Sequence, residues 1–260
     1  VAVAVVQEDG YGRVEATGED EVEIVIAIDV AAPTRKVNPR QAGSDILILR
    51  PGKSKELEPF LETQFDEWQA ALSPDGKWIA YPARHDDGRS GLFVMPALGG
   101  PERLLAELTG EWRSADWSPD GKWIAFSSNR EGNYGVYVIA ATGGKPKQLT
   151  WHSADDNVVG WTPDSKKIIF SSTRGNGVFP TVATLWEVPA DGGIEVAVDT
   201  DWGIWSSYSA DGKKMAFTRH PQTWSRKHYR GSYAADLWVE DLASKRFTKL
   251  GNPDYKGNML

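Results

Sequence analysis

Apolar and polar residues alternate along most of this chain in short runs, and the runs pair up around one recurrent stretch. Its clearest copy is Ser118-Pro119-Asp120-Gly121-Lys122-Trp123-Ile124-Ala125-Phe126. Another reads Ser73-Pro74-Asp75-Gly76-Lys77-Trp78-Ile79-Ala80-Tyr81. A worn third is Thr162-Pro163-Asp164-Ser165-Lys166-Lys167-Ile168-Ile169-Phe170, and a fourth is Ser209-Ala210-Asp211-Gly212-Lys213-Lys214-Met215-Ala216-Phe217. A period of two on either side predicts half-buried strands. The centre predicts a tight turn: Pro presets φ, Asp bonds its own backbone, and Gly accepts the positive φ other residues resist. Trp78 and Trp123 share a slot with Lys167 and Lys214, which puts it near the solvent-facing edge, where a Lys head reaches water.

A third strand follows each hairpin: Leu92-Phe93-Val94-Met95, Val136-Tyr137-Val138-Ile139, Leu185-Trp186-Glu187-Val188 and Leu237-Trp238-Val239-Glu240. After a polar or Gly-Gly turn comes a short fourth: Glu102-Arg103-Leu104-Leu105, Lys147-Gln148-Leu149-Thr150, Glu195-Val196-Ala197-Val198 and Phe247-Thr248-Lys249-Leu250. Successive turns are 45, 44 and 47 residues apart. Four short strands at such a period predict an all-β protein, a β-propeller of four-stranded antiparallel blades.

The turn motif, the strand that follows it and the Gly-Gly turn resemble the WD40-like repeat of the TolB and tricorn-protease propellers, over about residues 44–260. The end, His228-Tyr229-Arg230-Gly231-Ser232-Tyr233-Ala234-Ala235-Asp236-Leu237-Trp238-Val239 and Tyr255-Lys256-Gly257-Asn258, resembles tricorn-type propellers more narrowly. The resemblance implies a fold and little about activity, because a propeller hosts many unrelated functions. It also implies that any catalytic serine of a related peptidase lies in another domain.

The expected organisation is one propeller domain spanning 1–260, with blades at about 10–62, 67–105, 111–150, 156–198 and 202–250, and with 1–6 and 252–260 as closing strands. Within the degenerate first blade, residues 13–17 are the expected first strand. The count is five; the alternative is six, with a partial blade made from both termini. The chain begins with Val, which points to a processed, trimmed or engineered product.

Composition narrows the function. The net charge of −7, from 29 basic and 36 acidic residues, argues against a nucleic-acid partner, which would need a basic stripe. No apolar run approaches the roughly 18 residues of a membrane span. There is no cysteine, so disulfides and thiolate chemistry are excluded, while the compartment stays undecided. The twelve Trp suit face-to-face packing between blades. No nucleophile elbow, phosphate-cradling loop or His-Glu-x-x-His motif is present, so no catalytic residue, cofactor or metal site is assigned.

In a blade the Pro-Asp-Gly-Lys and Gly-Gly turns share one face of the disc, and variable loops crowd the other. The distance from turn to third strand grows from 19 and 18 residues to 23 and 28, so the longest insertion lies in the last blade. Variable loops on a rigid scaffold are where binding sites are usually built. The ligand-face candidates are therefore Trp224, Arg226, His228, Tyr229, Arg230 and His220 of that insertion, with His152 and His85. Arg226, Lys227 and Arg230 make the insertion basic, so the expected partner is a protein or peptide that is acidic or carries a free carboxylate. The rival reading makes the insertion a lid over the last blade. His with Asp155 and Asp156 lack metal-motif spacing. Arg84, Arg130, Arg174 and Arg219 stand at nearly the same place in each blade, and a residue inherited by every blade reads as packing. Asp116, beside Trp117, is a candidate for the channel wall; nothing in the sequence supports calcium there.

Three functions remain open: a non-catalytic scaffold, the substrate-filtering propeller of a tricorn-like serine peptidase, or an engineered propeller with no selected function.

Overall fold

The computed structural model describes residues 5–7, 25–29, 45–49, 58–61, 70–85, 87–175, 183–200, 202–209, 211–219 and 236–250, and every regular element among them is a strand. They form five four-stranded sheets. The first contains β1 (Val5–Gln7), β2 (Val25–Asp29), β3 (Asp45–Leu49) and β4 (Glu58–Leu61), and the second β5 (Ala71–Leu72), β6 (Trp78–Arg84), β7 (Ser90–Pro96) and β8 (Arg103–Glu107). The third contains β9 (Trp112–Trp117), β10 (Trp123–Ser128), β11 (Gly135–Ala140) and β12 (Lys147–Gln148). The fourth contains β13 (Asp156–Trp161), β14 (Lys167–Ser172), β15 (Thr184–Pro189) and β16 (Val196–Ala197). The fifth contains β17 (Trp205–Tyr208), β18 (Lys214–Thr218), β19 (Leu237–Asp241) and β20 (Arg246–Lys249). In the second to fifth sheets neighbours in sequence are neighbours in space and run antiparallel. Strand β9 touches both β5 and β13, and β13 touches β17. The first strands thus line a common axis and the sheets radiate from it, which is the β-propeller architecture.

The first sheet differs. In it β1 runs parallel to β2, with Val5 opposite Ile26. Part of the N-terminal segment expected as an added closing strand therefore stands in the first place of the sheet. Residues 13–17, expected there, lie outside the described residues, as do the C-terminal closing residues 252–260. The physical reason lies in the connection. Gly18-Glu19-Asp20-Glu21 lacks the turn set of the other repeats, and a long connection lets the partner of β2 run parallel.

Each of the other hairpins is closed by one hydrogen-bond set. Ser118 Oγ donates to Asp120 Oδ1 at 2.7 Å and accepts from Trp123 N at 3.0 Å. Lys122 N donates to the same carboxylate oxygen, and Gly121 N to the Ser118 carbonyl. The set recurs around Asp75, Asp164 and Asp211. Gly121 has φ +70°, so a left-handed residue is required there; the worn repeat puts Ser165 in that conformation at +61°. Ser165 offsets the strain with a bond that glycine could not make, accepting Asp120 N of the neighbouring turn at 3.0 Å.

The core lies between sheets. Ile124 and Phe126 of β10 join Leu92, Val94 and Leu105 of the preceding sheet, while Ala125 points the other way into a cluster with Val158, Trp161 and Phe170. Indole N–H groups tie the inner strands: Trp117 Nε1 donates to the Ala71 carbonyl at 3.0 Å, and Trp161 Nε1 to that of Asp116 at 3.2 Å. At the rim, Arg103 reaches the Ala141 and Thr142 carbonyls, and Lys147 reaches that of Asp191 one sheet on.

Two tryptophans separate core from edge. Trp117 is 7% exposed and Trp123 is 42% exposed. Trp117→Ala is expected to cost about 3–5 kcal/mol and Trp123→Ala about 1–3 kcal/mol. Urea unfolding midpoints check this; equal losses, or none at Trp123, would contradict the assignment.

Candidate functional site

The turn face is regular. The opposite face, where strands begin and linking segments cross, carries exposed apolar surface: Trp151 is 70% exposed in the link after β12, and Trp205 is 59% exposed at the head of β17. Of the candidates there, His220, Trp224, Arg226, His228, Tyr229 and Arg230 lie outside the described residues. The other two histidines sit in different settings. His85 stands edge-on to Phe93 at 4.5 Å, its Nε2 lying 3.3 Å from Glu102 Oε2 without making a hydrogen bond. Exposed His152 accepts Ala154 N through Nδ1, and its carbonyl takes an Asn133 amide N–H. Asp155 accepts Tyr134 N, and Asp156 is buried against Arg174. Among the described residues no three His, Cys, Asp or Glu side chains gather as metal ligands.

The repeated arginines follow an aromatic repeat. Opposite one another in the two central strands stand Tyr81 and Phe93, Phe126 and Tyr137, Phe170 and Trp186, and Phe217 and Trp238. A cation covers each pair. Arg130 lies 4.5 Å from the Tyr137 ring centre, Arg174 lies 5.0 Å from that of Phe170, and Arg219 lies 5.6 Å from that of Trp238. Quadrupole attraction holds such stacks. Arg130 and Arg174 are equivalent, each four residues past the phenylalanine. In the second sheet that place belongs to His85, and Arg89 from the following turn supplies the guanidinium over Phe93 at 5.6 Å. Arg84 is exposed and lies 5.9 Å from Trp112 of the next sheet.

Acids complete the stacks of Arg174 and Arg89. Arg174 pairs with Asp156 and Glu195, and Arg89 pairs with Glu102 at 3.1 Å. In the third sheet Pro146 holds the place of Glu102 and Glu195, and Arg130 Nη2 and the Tyr137 hydroxyl are buried without partners. Burial accordingly lowers the pKa of Arg130 and raises that of Tyr137.

One carboxylate stands on the inner strands between the third and fourth sheets. Asp116 of β9 lines a cavity of about 370 Å³ with Gly160 and Trp161 of β13 and Ser207, Tyr208 and Ser209 from the fifth sheet. By register Ala71, Asp116 and Ser207 hold the same inward place, opposite Ala80, Ala125 and Ala216, with Gly160 opposite Ile169. Among these four sheets the third alone puts a charge there. The residue is partly exposed, and desolvation of its carboxyl by the surrounding wall pushes it up to about 7, against the opposing hydrogen bond from Trp117 N.

With that geometry, similarity to known proteins becomes informative. The model of the tricorn protease N-terminal β-propeller domain matches residues 101–258. The chain belongs to that family. No curated protein sequence matches it. Solved structures share its fold. TolB from Acinetobacter baumannii superimposes with a TM-score of 0.63 at 20% identity, over 85% of this chain and 51% of that one. A putative TolB from Agrobacterium tumefaciens gives 0.61 at 21%, over 82% and 74%. The tricorn protease gives 0.57 at 13%, over 81% and 24%. The chain thus spans about half of the first of these and a quarter of the protease. No helix among the described residues is long and apolar enough to cross a membrane.

The carboxylates of this tricorn-type propeller divide by sign. Hydroxyls of Ser73, Ser118, Thr162 and Ser209, aided by backbone N–H groups, hold Asp75, Asp120, Asp164 and Asp211 below the free value of 3.8. Their contribution to stability is present above 3.8 and lost as pH falls through the folded values. Asp116 acts oppositely. Its folded value of about 7 lies above 3.8, so its contribution is complete below 3.8 and lost as pH rises through about 7. Asp116→Asn is therefore expected to raise the melting temperature by a few degrees at about pH 8 and to leave it nearly unchanged at about pH 4. Equal shifts at both would contradict the buried carboxyl.

Proposed function

We propose that this chain is a five-bladed, non-catalytic propeller that binds a protein or peptide on the face carrying its long loops. The carrying observation is a pair of open indoles on the face opposite the hydrogen-bonded turns. Trp151 and Trp205 keep most of their surface free there, whereas Trp78 and Trp123 beside the turns are 41% and 42% exposed and the other open apolar side chains of the turn face, such as Leu98 and Ile194, are aliphatic. Indole side chains anchor interfaces at small entropic cost. The insertion around Trp224, Arg226, His228, Tyr229 and Arg230, flanked by His220, adds basic charge, which favours an acidic partner or one with a free carboxylate.

The family match and the share of the tricorn protease that the chain spans favour a second reading. In it the propeller filters or docks substrate for a catalytic domain elsewhere in a tricorn-like serine peptidase. Both readings make this chain inactive as a peptidase by itself and give the loop face to a peptide.

Replacing residues 221–229 with a Gly-Asn turn tests the shared claim. Fluorescence anisotropy with labelled acidic peptides, carboxylate-ended and amidated, is expected to show binding to the parent, weakened at least tenfold by the replacement, with an unchanged melting temperature. Unfolding or aggregation of the variant would make the insertion a structural lid, and undiminished binding would move the site elsewhere.

A further inference from the structure

We propose that the cavity beside Asp116 is a binding site for a primary ammonium group, held by the Asp116 carboxylate inside the channel. The charge there is unmatched. Asp116 accepts Trp117 N and has no cation as partner among the described residues. Its neighbours at the same register are Ala71, Gly160 and Ser207, so the charge is a departure from the repeat and serves no function common to the blades. Gly160 matters sterically: a Cβ there would lie 3.5 Å from Asp116 Oδ2 and would narrow the space in front of the carboxylate.

The walls fit an alkylammonium better than a metal ion. Hydroxyls of Ser207 and Tyr208 can accept the remaining N–H groups, and Val159, Pro119 and Pro163 offer apolar surface to a carbon chain. A divalent ion would demand several anionic oxygens, and the cavity lining contains one carboxylate. Acids stand around the cavity, each paired with a lysine: Glu187 with Lys167, Glu240 with Lys245 and Asp164 with Lys166. Behind burial, Glu187, Glu240 and Asp164 contribute to raising Tyr208 to about 12. Across the cavity β17 contributes Tyr208. Of the strands packed on β9, β10 has no charge, and β6 contributes Tyr81 and, at its far end beside Trp112, Arg84. Strand β13 contributes only Asp156, at its far end and tied to Arg174. Strand β5 contributes Ala71 and Leu72, which have no charge. No lysine or arginine lines the cavity itself.

The site is independent of the loop-face reading, since its test uses a small amine. In carbon-13 spectra of aspartate-labelled protein, n-butylammonium chloride is expected to shift the Asp116 carboxyl saturably. Binding should be about tenfold tighter at about pH 8 than at about pH 6, following ionisation of a carboxyl that titrates near 7. Asp116→Asn should abolish the saturable response, and Gly160→Val should weaken it while Asp116 still titrates. Sodium chloride or 1-butanol producing the same shift would overturn the proposal, as would n-butylammonium binding that persists in Asp116→Asn.

Discussion

Ile124 and Phe126 on one side of β10, with Ala125 on the other, leave a four-stranded sheet with two apolar faces and no helix among the described residues to cover either. Only another sheet can do so. Ile124 and Phe126 of β10 share a cluster with Ala80, Leu92 and Val94 of the sheet before, and Ile168 and Phe170 of β14 with Ala125, Val136 and Val138. Indole bonds from Trp117 to Ala71 and from Trp161 to Asp116 fix the inner strands at that spacing. Arg103 and Lys147 repeat the tie at the rim. Each sheet's stability is therefore largely a property of the pair, as in other repeat architectures.

That dependence separates structural from functional residues. Features that the second to fifth sheets share are spent on packing: the Asp-closed turns, the aromatic pairs and the cations over them. The arginine repeat belongs here, since Arg174 is satisfied by Asp156 and Glu195, and its absence from the second sheet is made good by His85 and Arg89. A residue that breaks the repeat without a packing reason is a better functional candidate. Asp116 is such a residue: stacking does not need it, and its burial has an electrostatic cost.

The turns were legible in the sequence because their chemistry is local. Four residues supply the left-handed position, the accepting carboxylate and the capping hydroxyl, whatever surrounds them. The strands followed from alternation around those turns. The aromatic pairing of Tyr81 with Phe93 and of Phe126 with Tyr137 was present as a repeated aromatic in the second and third strands, but it becomes visible only through register. The arginines were harder to align, because the turn after the second strand varies in length and shifts Arg84 away from the place of Arg130. The direction of β1 was not legible, since a lone apolar strand carries no local signal of which edge it will join. The insertion at 220–230 could be marked by composition, whereas the cavity at Asp116 required the juxtaposition of strands from three sheets.

Native-state hydrogen exchange followed by mass spectrometry tests most directly whether neighbouring sheets stabilise one another. If each sheet depends on the next, amides of β10 and β14 open with the same free energy and the same denaturant dependence. Trp161→Phe, which removes one inter-sheet bond, lowers both together. If the sheets were independent, the two strands would open with separate free energies, and Trp161→Phe would affect β14 alone.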